Sequence, residues 1–308
     1  MPSQPEISVV IPVRNEEGSV RELARRLQGV LPPDHEILFV DDGSTDMTWD
    51  RLAGLHAPER LRLIKLKAPS GKSAALMAGF ARCRAPVIFT LDGDLQDDPA
   101  EIPSFLAKLG EGYDLVSGWK KVRHDPLHKV AASRAFNLVM RHATGLRLHD
   151  MNCGFKCYRA EVAKSLLIYG DQHRFIPVFA QHAGYRVGEI EVRHHPRRHG
   201  RSKYGFSRLL KGFLDLGTVL LRTRYRDRPA HAFGLVALVL ALAAGALLAP
   251  AAAGLVNPAA ALAAFAVAMP LAACAAVFLA GGWIAETLLE QSMREPAAVL
   301  PAVEERLD

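Results

Sequence analysis

The residues with the most evident chemical capacity lie at the end of a short apolar run. Residues 87–90 (Val-Ile-Phe-Thr) lead into an acidic stretch in which Asp92 and Asp94 are two positions apart and Gln96 follows. Carboxylate and amide oxygens are the ligands that Mg²⁺ and Mn²⁺ prefer. The same stretch also has the chemistry of an ordinary helix start, so a solvated, capped turn is the alternative to a metal site.

Two further predicted strands end in polar residues. Ile7–Val13 is followed by Arg-Asn-Glu-Glu at 14–17, and Glu36–Val40 is followed by Asp-Asp at 41–42. The carboxyl ends of parallel strands meet along one rim of an open α/β sheet, which is where such sheets bind ligands. Three polar strand ends on one rim favour a binding site over three unrelated turns.

Strands and helices must alternate to position these ends, and the first half of the chain does so. The predicted strands are Ile7–Val13, Glu36–Val40, Leu61–Leu66, Val87–Thr90, Asp114–Val116 and an edge strand within Tyr185–His194. The predicted helices run to about Leu31, from a cap at Ser44 or Thr45, from Gly71 to Cys83, from Pro99 to Leu109, from His128 to Thr144 and from His173 to Ala183. This alternation predicts an α/β fold with a doubly wound, mostly parallel sheet covered by helices.

Two common nucleotide-binding motifs are excluded. Gly71-Lys72-Ser73 would need a glycine five residues earlier to form a phosphate loop, and that position is Leu66. No strand leads into Gly-x-Gly-x-x-Gly, so a dinucleotide redox fold has no support.

The positive charge of the chain is concentrated in one region. The formal net charge is +6, and the cations crowd between Arg193 and Arg228, which suggests an anionic partner. No helix-turn-helix, zinc finger or interleaved aromatic pattern accompanies them, so nucleic acid is not expected as a partner.

The cysteines and the N-terminus bear on the cellular compartment. Four scattered cysteines are too few for a disulfide framework and fit a reducing compartment. A zinc site can be drawn, but its ligand spacing is atypical; its members would be Cys153, Cys157, His194 and His195. The N-terminal apolar run is strand-length and is followed by charge, so no cleavable signal peptide is expected.

The C-terminal third has the pattern of a membrane anchor. Residues 204–226 mix apolar and basic side chains, as interfacial amphipathic helices do. Two uncharged stretches follow at about 232–249 and 259–284, each near the ~20 residues that cross a bilayer. Both are rich in alanine, and buried core helices are the alternative. The short uncharged linker and the preceding cations predict a multi-pass hairpin in the inner membrane, with the α/β domain and both termini cytoplasmic.

Four motifs together resemble one enzyme family. They are Ile-Pro-Val-Arg-Asn-Glu-Glu (11–17), Val-Asp-Asp-Gly-Ser-Thr-Asp (40–46), Leu-Asp-Gly-Asp-Leu-Gln-Asp-Asp-Pro (91–99) and Arg-x-x-Gly-x-Ser-Lys (197–203). Followed by two apolar helices, they resemble family 2 glycosyltransferases, and among these the membrane-anchored bacterial polyprenyl-phosphate hexosyltransferases of the dolichyl-phosphate mannose synthase type. The resemblance covers about residues 5–225. It implies the GT-A fold and transfer of a hexosyl group from a nucleotide sugar to undecaprenyl or dolichyl phosphate.

The resemblance also implies roles for individual positions. The implied nucleotide-sugar positions are Pro12, Arg14, Glu16, Val40, Asp42, Gly93, Lys120, Arg197 and Lys203. The implied ligands of Mg²⁺ or Mn²⁺ are Asp92, Asp94 and Gln96, with Asp92 and Asp94 at the catalytic centre. The implied acceptor-phosphate positions are Arg134, Arg197, Arg198, Ser202 and Lys203, and an ordinary surface arginine is the alternative for Arg134.

Two positions depart from the family pattern. Arg14 stands where an aromatic residue is common, and Lys120 stands where arginine is usual. A lysine offers a point charge instead of a bidentate fork. Both departures concern donor specificity and leave the reaction class unchanged.

The expected chemistry needs little acid–base help. A lipid phosphate is already an anion near neutral pH, so the nucleophile needs positioning more than deprotonation. Asp150 is therefore a candidate base and a better candidate for orienting the sugar or cations. A divalent cation would neutralise charge on the leaving diphosphate, and the family implies inversion at the anomeric carbon.

The predicted domains are a GT-A domain at 1–203, amphipathic interface helices at 204–228, a transmembrane hairpin at 229–290 and a cytosolic tail at 291–308. A processive polysaccharide synthase is one alternative, but its Gln-x-x-Arg-Trp motif is absent and one hairpin is too little membrane for a pore. A non-catalytic membrane scaffold is another, and the retained acidic motif and basic loop argue against it. The sequence does not determine which sugar is transferred, whether the donor nucleotide is UDP or GDP, or whether the protein forms a homo-oligomer.

Overall fold

The computed structural model describes residues 4–57, 59–121, 137–196, 207–292 and 303–307. The chain forms two compact units, one of Met1–Val219 with Val299–Asp308 and one of Leu220–Ala298. The finer boundaries expected at 203, 228 and 290 stay predictions.

The first unit is built on one eight-stranded sheet. Its strands are β1 (Ile7–Val13), β2 (His35–Asp41), β3 (Leu61–Leu66), β4 (Val87–Thr90), β5 (Leu115–Trp119), β6 (Lys156–Arg159), β7 (Val187–Glu191) and β8 (Val303–Leu307). Their spatial order is β7-β5-β6-β4-β1-β2-β3-β8. The β1–β2, β1–β4, β2–β3 and β5–β7 pairs are parallel, whereas β6 is antiparallel to both neighbours and β8 is antiparallel to β3. The predicted mostly parallel sheet is confirmed, with β7 at the predicted edge.

Helices cover both faces of this sheet. They are α1 (Val20–Gln28), α2 (Thr48–Ala53), α3 (Lys72–Phe80), α4 (Ile102–Gly110), α5 (137–144), α6 (Ala160–Ser165) and α7 (Ile176–His182). One apolar core contains residues of α1, α2 and α4, and the other contains residues of α3, α6 and α7. Val9 and Ile11 enter the first core and Val10 the second, because successive side chains of a strand point to opposite faces. A strand buried on both faces needs the continuous apolar run that β1 has.

The strand order places a crevice beside β1. The chain moves outward from β1 through β2 and β3, and then returns to form β4 on the other side of β1. Val13 is in register with Asp41, and Val10 with Thr90. Such a reversal opens a ligand crevice at the carboxyl ends of the two central strands. The acidic stretch after β4 therefore begins at this crevice.

Three elements of the first unit have no counterpart in the sequence expectation. They are β6, α6 and the tail strand β8. The four residues of β6, Lys-Cys-Tyr-Arg, begin and end with a cation. The segment therefore lacks the apolar run by which a buried strand is recognised in a sequence. The helix expected from residue 128 is described from 137 onward.

The second unit contains two long apolar helices. A helix α8 (Ser207–Arg222) crosses the boundary between the units, and α9 (Pro229–Ala252) and α10 (Pro258–Ser292) follow. The Phe233 ring of α9 lies 6.2 Å from the Phe278 ring of α10, and a side chain on Gly282 would meet Ala230 and Phe233. The start of α9 therefore packs against the far end of α10 as an antiparallel pair.

The surfaces of α9 and α10 are those of membrane-spanning helices. Both are long and apolar enough to cross a bilayer by length and composition, and both extend beyond the predicted spans. Leu242 is 63% exposed and Leu262 is 71% exposed. Core helices of a water-soluble domain bury such side chains. The alternative of buried core helices is therefore not supported.

Candidate active site

The ends of β1 and β4 touch at Gly93. A Cβ atom on Gly93 would lie 2.8 Å from Val13 Cγ1 and 3.7 Å from Glu16 Cγ. Only glycine allows the backbone after β4 to approach β1 this closely. Two of the three polar strand ends predicted to converge are thus in contact.

The ends of β1 and β2 are tied by hydrogen bonds. The Asn15 amide donates to Ser44 Oγ at 3.0 Å, and Asn15 Oδ1 accepts from the Thr45 amide at 2.8 Å. Asn15 has a φ of 55°, which asparagine tolerates better than most residues. The Glu16 amide donates to Thr48 Oγ1 at 2.8 Å. The third polar strand end therefore joins the same rim.

The two acids at the end of β2 accept hydrogen bonds from nearby loops. The Asp42 carboxylate accepts from the amides of Ser70 at 2.6 Å and Gly71 at 3.0 Å, which fixes the turn before α3. Burial raises the pKa of Asp41, although hydrogen bonds from Ser44 oppose the effect. The predicted nucleotide contact of Asp42 stays a prediction.

Three more predicted nucleotide positions lie on or next to β1 and β2. Pro12 and Val40 are partners in the β1–β2 register, and the Val40 side chain is buried in the core on the α3 face. Arg14 is exposed at the rim. Arg14 thus lies where a ligand can reach it, whereas the Val40 side chain lies within the apolar core.

Asp92 is held between a lysine and a glycine. Its carboxylate accepts from the Lys72 ammonium at the start of α3. A Cβ atom on Gly154 would lie 2.5–2.7 Å from its carboxylate atoms, so any other residue at position 154 would displace the Asp92 carboxylate. Burial alone would raise the pKa of Asp92, but the charges of Lys72 and Lys120 lower it well below its ordinary value. Asp92 is therefore a fixed anion at the crevice.

The residues after Asp92 form a constrained turn. Asp94 is buried, and it accepts from the Gln96 amide at 3.2 Å. Leu95 between them has a φ of 63°, a strained conformation for a leucine. Such strain is typical of a functional turn held by its surroundings.

Lys120 is committed to the same acidic segment. Its ammonium lies 2.7 Å from Asp97 Oδ1, and the Asp97 side chain is 1% exposed. Burial alone would lower the pKa of Lys120, but the charge of Asp97 and further negative neighbours raises it above its ordinary value. Lys120 therefore stays a cation close enough to Asp92 for their charges to interact. Its predicted contact with the donor stays a prediction.

The chain leading into the basic loop is attached to this acidic segment. The His195 amide donates to the Gln96 carbonyl at 2.9 Å, and Gln96 Nε2 donates to the His195 carbonyl at 3.3 Å. His195 Nε2 also lies 3.2 Å from Asp98 Oδ2. The predicted acceptor-phosphate residues lie outside the described part of the chain; they are Arg134, Arg197, Arg198, Ser202 and Lys203. The loop nevertheless begins two residues after an anchored histidine at the site.

Asp150 is positioned by Glu189 of β7. The Glu189 carboxylate accepts from the amides of His149 and Asp150 at 2.9–3.0 Å. Asp150 is buried, and it accepts from the Asn152 amide at 3.2 Å. The His149 ring stacks on Trp119 with ring centroids 4.1 Å apart. Asp150 is thus fixed in place, and its catalytic role stays a prediction.

Sequence reasoning missed Lys72, Gly154 and Glu189. Lys72 was visible in the Gly71-Lys72-Ser73 triplet, which failed as a phosphate loop but still marks a cation at a helix start beside the rim. Gly154 and Glu189 carry no local signal, because their roles depend on contacts across the sheet.

The predicted metal ligands can form only part of a coordination sphere. Among the residues that the structure describes, no three histidine, cysteine, aspartate or glutamate side chains form a group that could hold a metal ion. Asp92, Asp94 and the Gln96 amide oxygen fall short of the six oxygens that Mg²⁺ takes. A metal bound by these three residues would need a diphosphate and water as its further ligands, and their role as metal ligands stays a prediction.

Comparison with known proteins identifies the family. The pattern of Glycosyl transferase family 2 matches residues 8–167. The chain belongs to glycosyl transferase family 2. It is a glycosyltransferase, as the sequence motifs predicted. It is 41% identical over 240 residues to a dodecaprenyl-phosphate galacturonate synthase of Rhizobium johnstonii, covering 74% of this chain and 70% of that protein.

A further relative agrees with this assignment, and a solved structure shows a similar fold. The chain is 39% identical over 225 residues to an undecaprenyl-phosphate 4-deoxy-4-formamido-L-arabinose transferase of Salmonella enteritidis, covering 71% of this chain and 69% of the relative. Its fold is similar to glucosyl-3-phosphoglycerate synthase of Mycobacterium tuberculosis in complex with Mn²⁺, UDP and glucosyl-3-phosphoglycerate, at 21% identity and a TM-score of 0.56, covering 71% of this chain and 79% of that one. The similarity at this identity shows the fold, and the predicted GT-A fold class is confirmed.

Proposed function

We propose that this glycosyltransferase transfers a hexosyl group from a nucleoside-diphosphate sugar to a polyprenyl phosphate at the cytoplasmic face of a membrane. The observation that carries the proposal is the crevice between β1 and β4, where three polar strand ends meet around an ionised Asp92. The named relatives use dodecaprenyl and undecaprenyl phosphate as carriers, which supports a polyprenyl phosphate acceptor here.

The proposed reaction is a direct displacement at the anomeric carbon. An oxygen of the acceptor phosphate forms a bond to that carbon, while the bond to the β-phosphate oxygen breaks and the nucleoside diphosphate leaves with the electron pair. Attack from the face opposite the leaving group inverts the configuration. The nucleophile is already an anion, so a fixed orientation matters more than a base. Asp150, held by Glu189, serves orientation.

Asp92, Asp94 and Gln96 would hold Mg²⁺ or Mn²⁺ together with the donor diphosphate. When bound, the cation supplies neutralisation of the charge that develops on the leaving phosphate. Lys72 already places a cation against Asp92, so the Asp92 carboxylate must shift its pairing when the donor enters.

The basic segment and the apolar helices support a lipid acceptor. The cations between Arg193 and Arg228 precede α9 directly, which suits a site that brings a lipid phosphate from the bilayer to the crevice. Arg197, Arg198, Ser202 and Lys203, with Arg134, are the proposed ligands of that phosphate.

The test is a transfer assay with the full-length protein in membranes. Radiolabelled nucleotide sugars, undecaprenyl phosphate and Mg²⁺ or Mn²⁺ are supplied, and lipid-soluble label is extracted into an organic phase. We expect chloroform-soluble label that mild acid releases. Insoluble polymer would indicate a polysaccharide synthase, and absence of transfer from every donor would indicate a non-catalytic protein; either result overturns the proposal.

A further inference from the structure

A polar pocket opens beside Asp92 on the side away from β1. Its walls come from β4, β6, the start of α3 and the turn before α7. The side chains that can bind a ligand there are the cations Lys72 and Lys156 and the hydrogen-bonding groups of Thr90, Asn152, Tyr158 and His173. Two of the six are lysines and none is a carboxylate, so the pocket suits an anion.

Lys156 is the unusual member of this pocket. It lies on β6 in register with Thr90 on one side and Ser117 on the other, and it is 3% exposed. Its ammonium donates to the neutral Cys153 carbonyl, and in the described part of the chain no carboxylate forms an ion pair with it. Lysines are rarely buried without a charged partner. Burial lowers the pKa of Lys156, although the charges of Asp150 and Asp92 oppose the shift. An anion in the pocket would give the buried ammonium a direct partner.

The pocket is also placed to receive the sugar of the donor rather than its nucleobase. Gly154 and Lys72 line it and also contact Asp92. In the sheet order, β6 lies on one side of β4, while β1 and β2 lie on the other. The proposed nucleotide positions are at the ends of β1 and β2, so a donor whose diphosphate lies near Asp92 directs its sugar toward β6.

His173 is held in the pocket wall by Ser73. The His173 amide donates to Ser73 Oγ at 3.0 Å, and the same hydroxyl lies 3.3 Å from His173 Nδ1. This pairing fixes the ring beside the pocket at the start of α3. A carboxylate between Lys156 and His173 would meet fixed donors, which cost little reorganisation on binding.

We propose that the donor sugar is a hexuronate whose C6 carboxylate enters this pocket and pairs with Lys156. The proposal rests on the proposed function and names the substrate class of the same site. A neutral sugar would leave the buried ammonium without a directly paired carboxylate, whereas a C6 carboxylate would form a charge-assisted hydrogen bond with it.

The first test compares donors that differ only at C6. The pairs are UDP-galacturonate with UDP-galactose, UDP-glucuronate with UDP-glucose, and GDP-mannuronate with GDP-mannose, each supplied to the full-length enzyme with undecaprenyl phosphate and Mg²⁺. We expect the acidic member of at least one pair to have a kcat/KM about tenfold or more above its neutral partner, as for a site built around a polar substituent. Preference for the neutral member in every active pair would overturn the inference while leaving the proposed function intact.

The second test removes the charge from the pocket. Lys156→Met should lower kcat/KM for the acidic donor by about 10- to 100-fold, the loss typical of one charged hydrogen bond, and should change the neutral donor by less than about threefold. Lys164→Met, which changes an exposed lysine on α6, is the matched control and should change neither. Equal loss with both donors would assign Lys156 to a part common to all donors and would overturn the inference.

The outcomes separate the two proposals. Absence of transfer from any donor would overturn the proposed function, and this inference with it. Thermal melting of the purified variant checks that Lys156→Met is folded, and if it is not, the donor comparison with the unchanged enzyme decides the question alone.

Discussion

In the first unit, which we call the catalytic unit, several charged residues surround Asp92. The Lys72 ammonium pairs with it, Lys120 lies near enough to lower its pKa, and Gly154 leaves it room. A carboxylate held ionised in this way does not have to lose a proton when a cationic partner is exchanged. Its surroundings therefore prepare it for a donor diphosphate and its metal.

Replacement of Asp94 tests the acidic pair directly. Asp94→Asn keeps the side-chain shape and the oxygen that accepts from the Gln96 amide, but it removes the negative charge. We expect sugar transfer to fall by about 100-fold or more, as for loss of one electrostatic group at a transition state, with little change in melting temperature. Asp50→Asn changes an exposed carboxylate on α2 and should leave transfer unchanged. Near-normal turnover of Asp94→Asn would remove Asp94 from the catalytic centre.

Replacement of Gly154 tests the position of Asp92 without touching its charge. The added methyl group of Gly154→Ala would lie 2.5–2.7 Å from the Asp92 carboxylate atoms, and the carboxylate can turn away more easily than backbone can. We expect transfer to fall by about 10- to 100-fold, because small displacements of reacting groups are costly. The melting temperature should change by no more than about 4 °C. In the control variant Gly110→Ala the methyl group meets open space, so activity and melting temperature should both be preserved. Full activity of Gly154→Ala would contradict the contact between residue 154 and Asp92.

At the level of elements, patterns visible in the sequence predicted the parallel strands but not the antiparallel ones. The bounds of β1 and β3 agree with the sequence prediction, because a strand buried on both faces reads as an unbroken apolar run. Strand β6 was not predicted, because a buried lysine and a terminal arginine interrupt its apolar pattern. The acids of the site were visible as strand-end residues, whereas Lys72 and Gly154 matter only through contacts that the fold creates.

One buried carboxylate joins the central strands at the end opposite the crevice. Glu36 of β2 accepts from Ser8 of β1 at 2.5 Å, from Arg62 of β3 at 3.0 Å and from Arg84 before β4 at 2.8 Å. Burial alone would raise the pKa of Glu36, but these hydrogen bonds and one from the Arg84 amide lower it below its ordinary value. Four parts of the sheet thus depend on one anion.

We expect Glu36→Gln to destabilise the fold in a pH-dependent way. Removing one partner of a buried ion pair costs about 3 kcal/mol, or roughly 6–12 °C in melting temperature, at pH 7. Because the folded-state pKa of Glu36 is lowered, its stabilisation is present above its ordinary pKa of 4.5 and is lost as pH falls through the lower folded value. The difference from the unchanged protein should therefore shrink in thermal melts below about pH 4.5. Glu6→Gln, an exposed substitution, should match the unchanged protein throughout, and a pH-independent difference for Glu36→Gln would contradict this role.

At the scale of the whole molecule, the tail strand bears on membrane topology. Strand β8 pairs with β3 in antiparallel register, Leu63 with Leu307 and Lys65 with Glu305, so the C-terminal residues belong to the catalytic unit. Two helices that are long and apolar enough to cross a bilayer lie between that unit and its own last strand. Because an even number of crossings returns a chain to its starting side, we expect α9 and α10 to form a hairpin whose turn, residues 253–257, faces the opposite side.

Cysteine labelling in intact cells tests this topology. Cys83, Cys153 and Cys157 are buried, and Cys274 is exposed on α10, so Cys274→Ser gives a background with little reaction toward a membrane-impermeant maleimide. In that background we expect Asn257→Cys, between α9 and α10, to react in intact cells. Glu305→Cys in β8 should react only after the membrane is permeabilised, because positive charge such as that before α9 favours the cytoplasmic side of a membrane. Reaction of both positions in intact cells would place the tail outside the membrane and would be incompatible with a cytoplasmic sheet that contains β8. Protection of both positions would mean that residues 253–257 do not reach the outer side of the membrane.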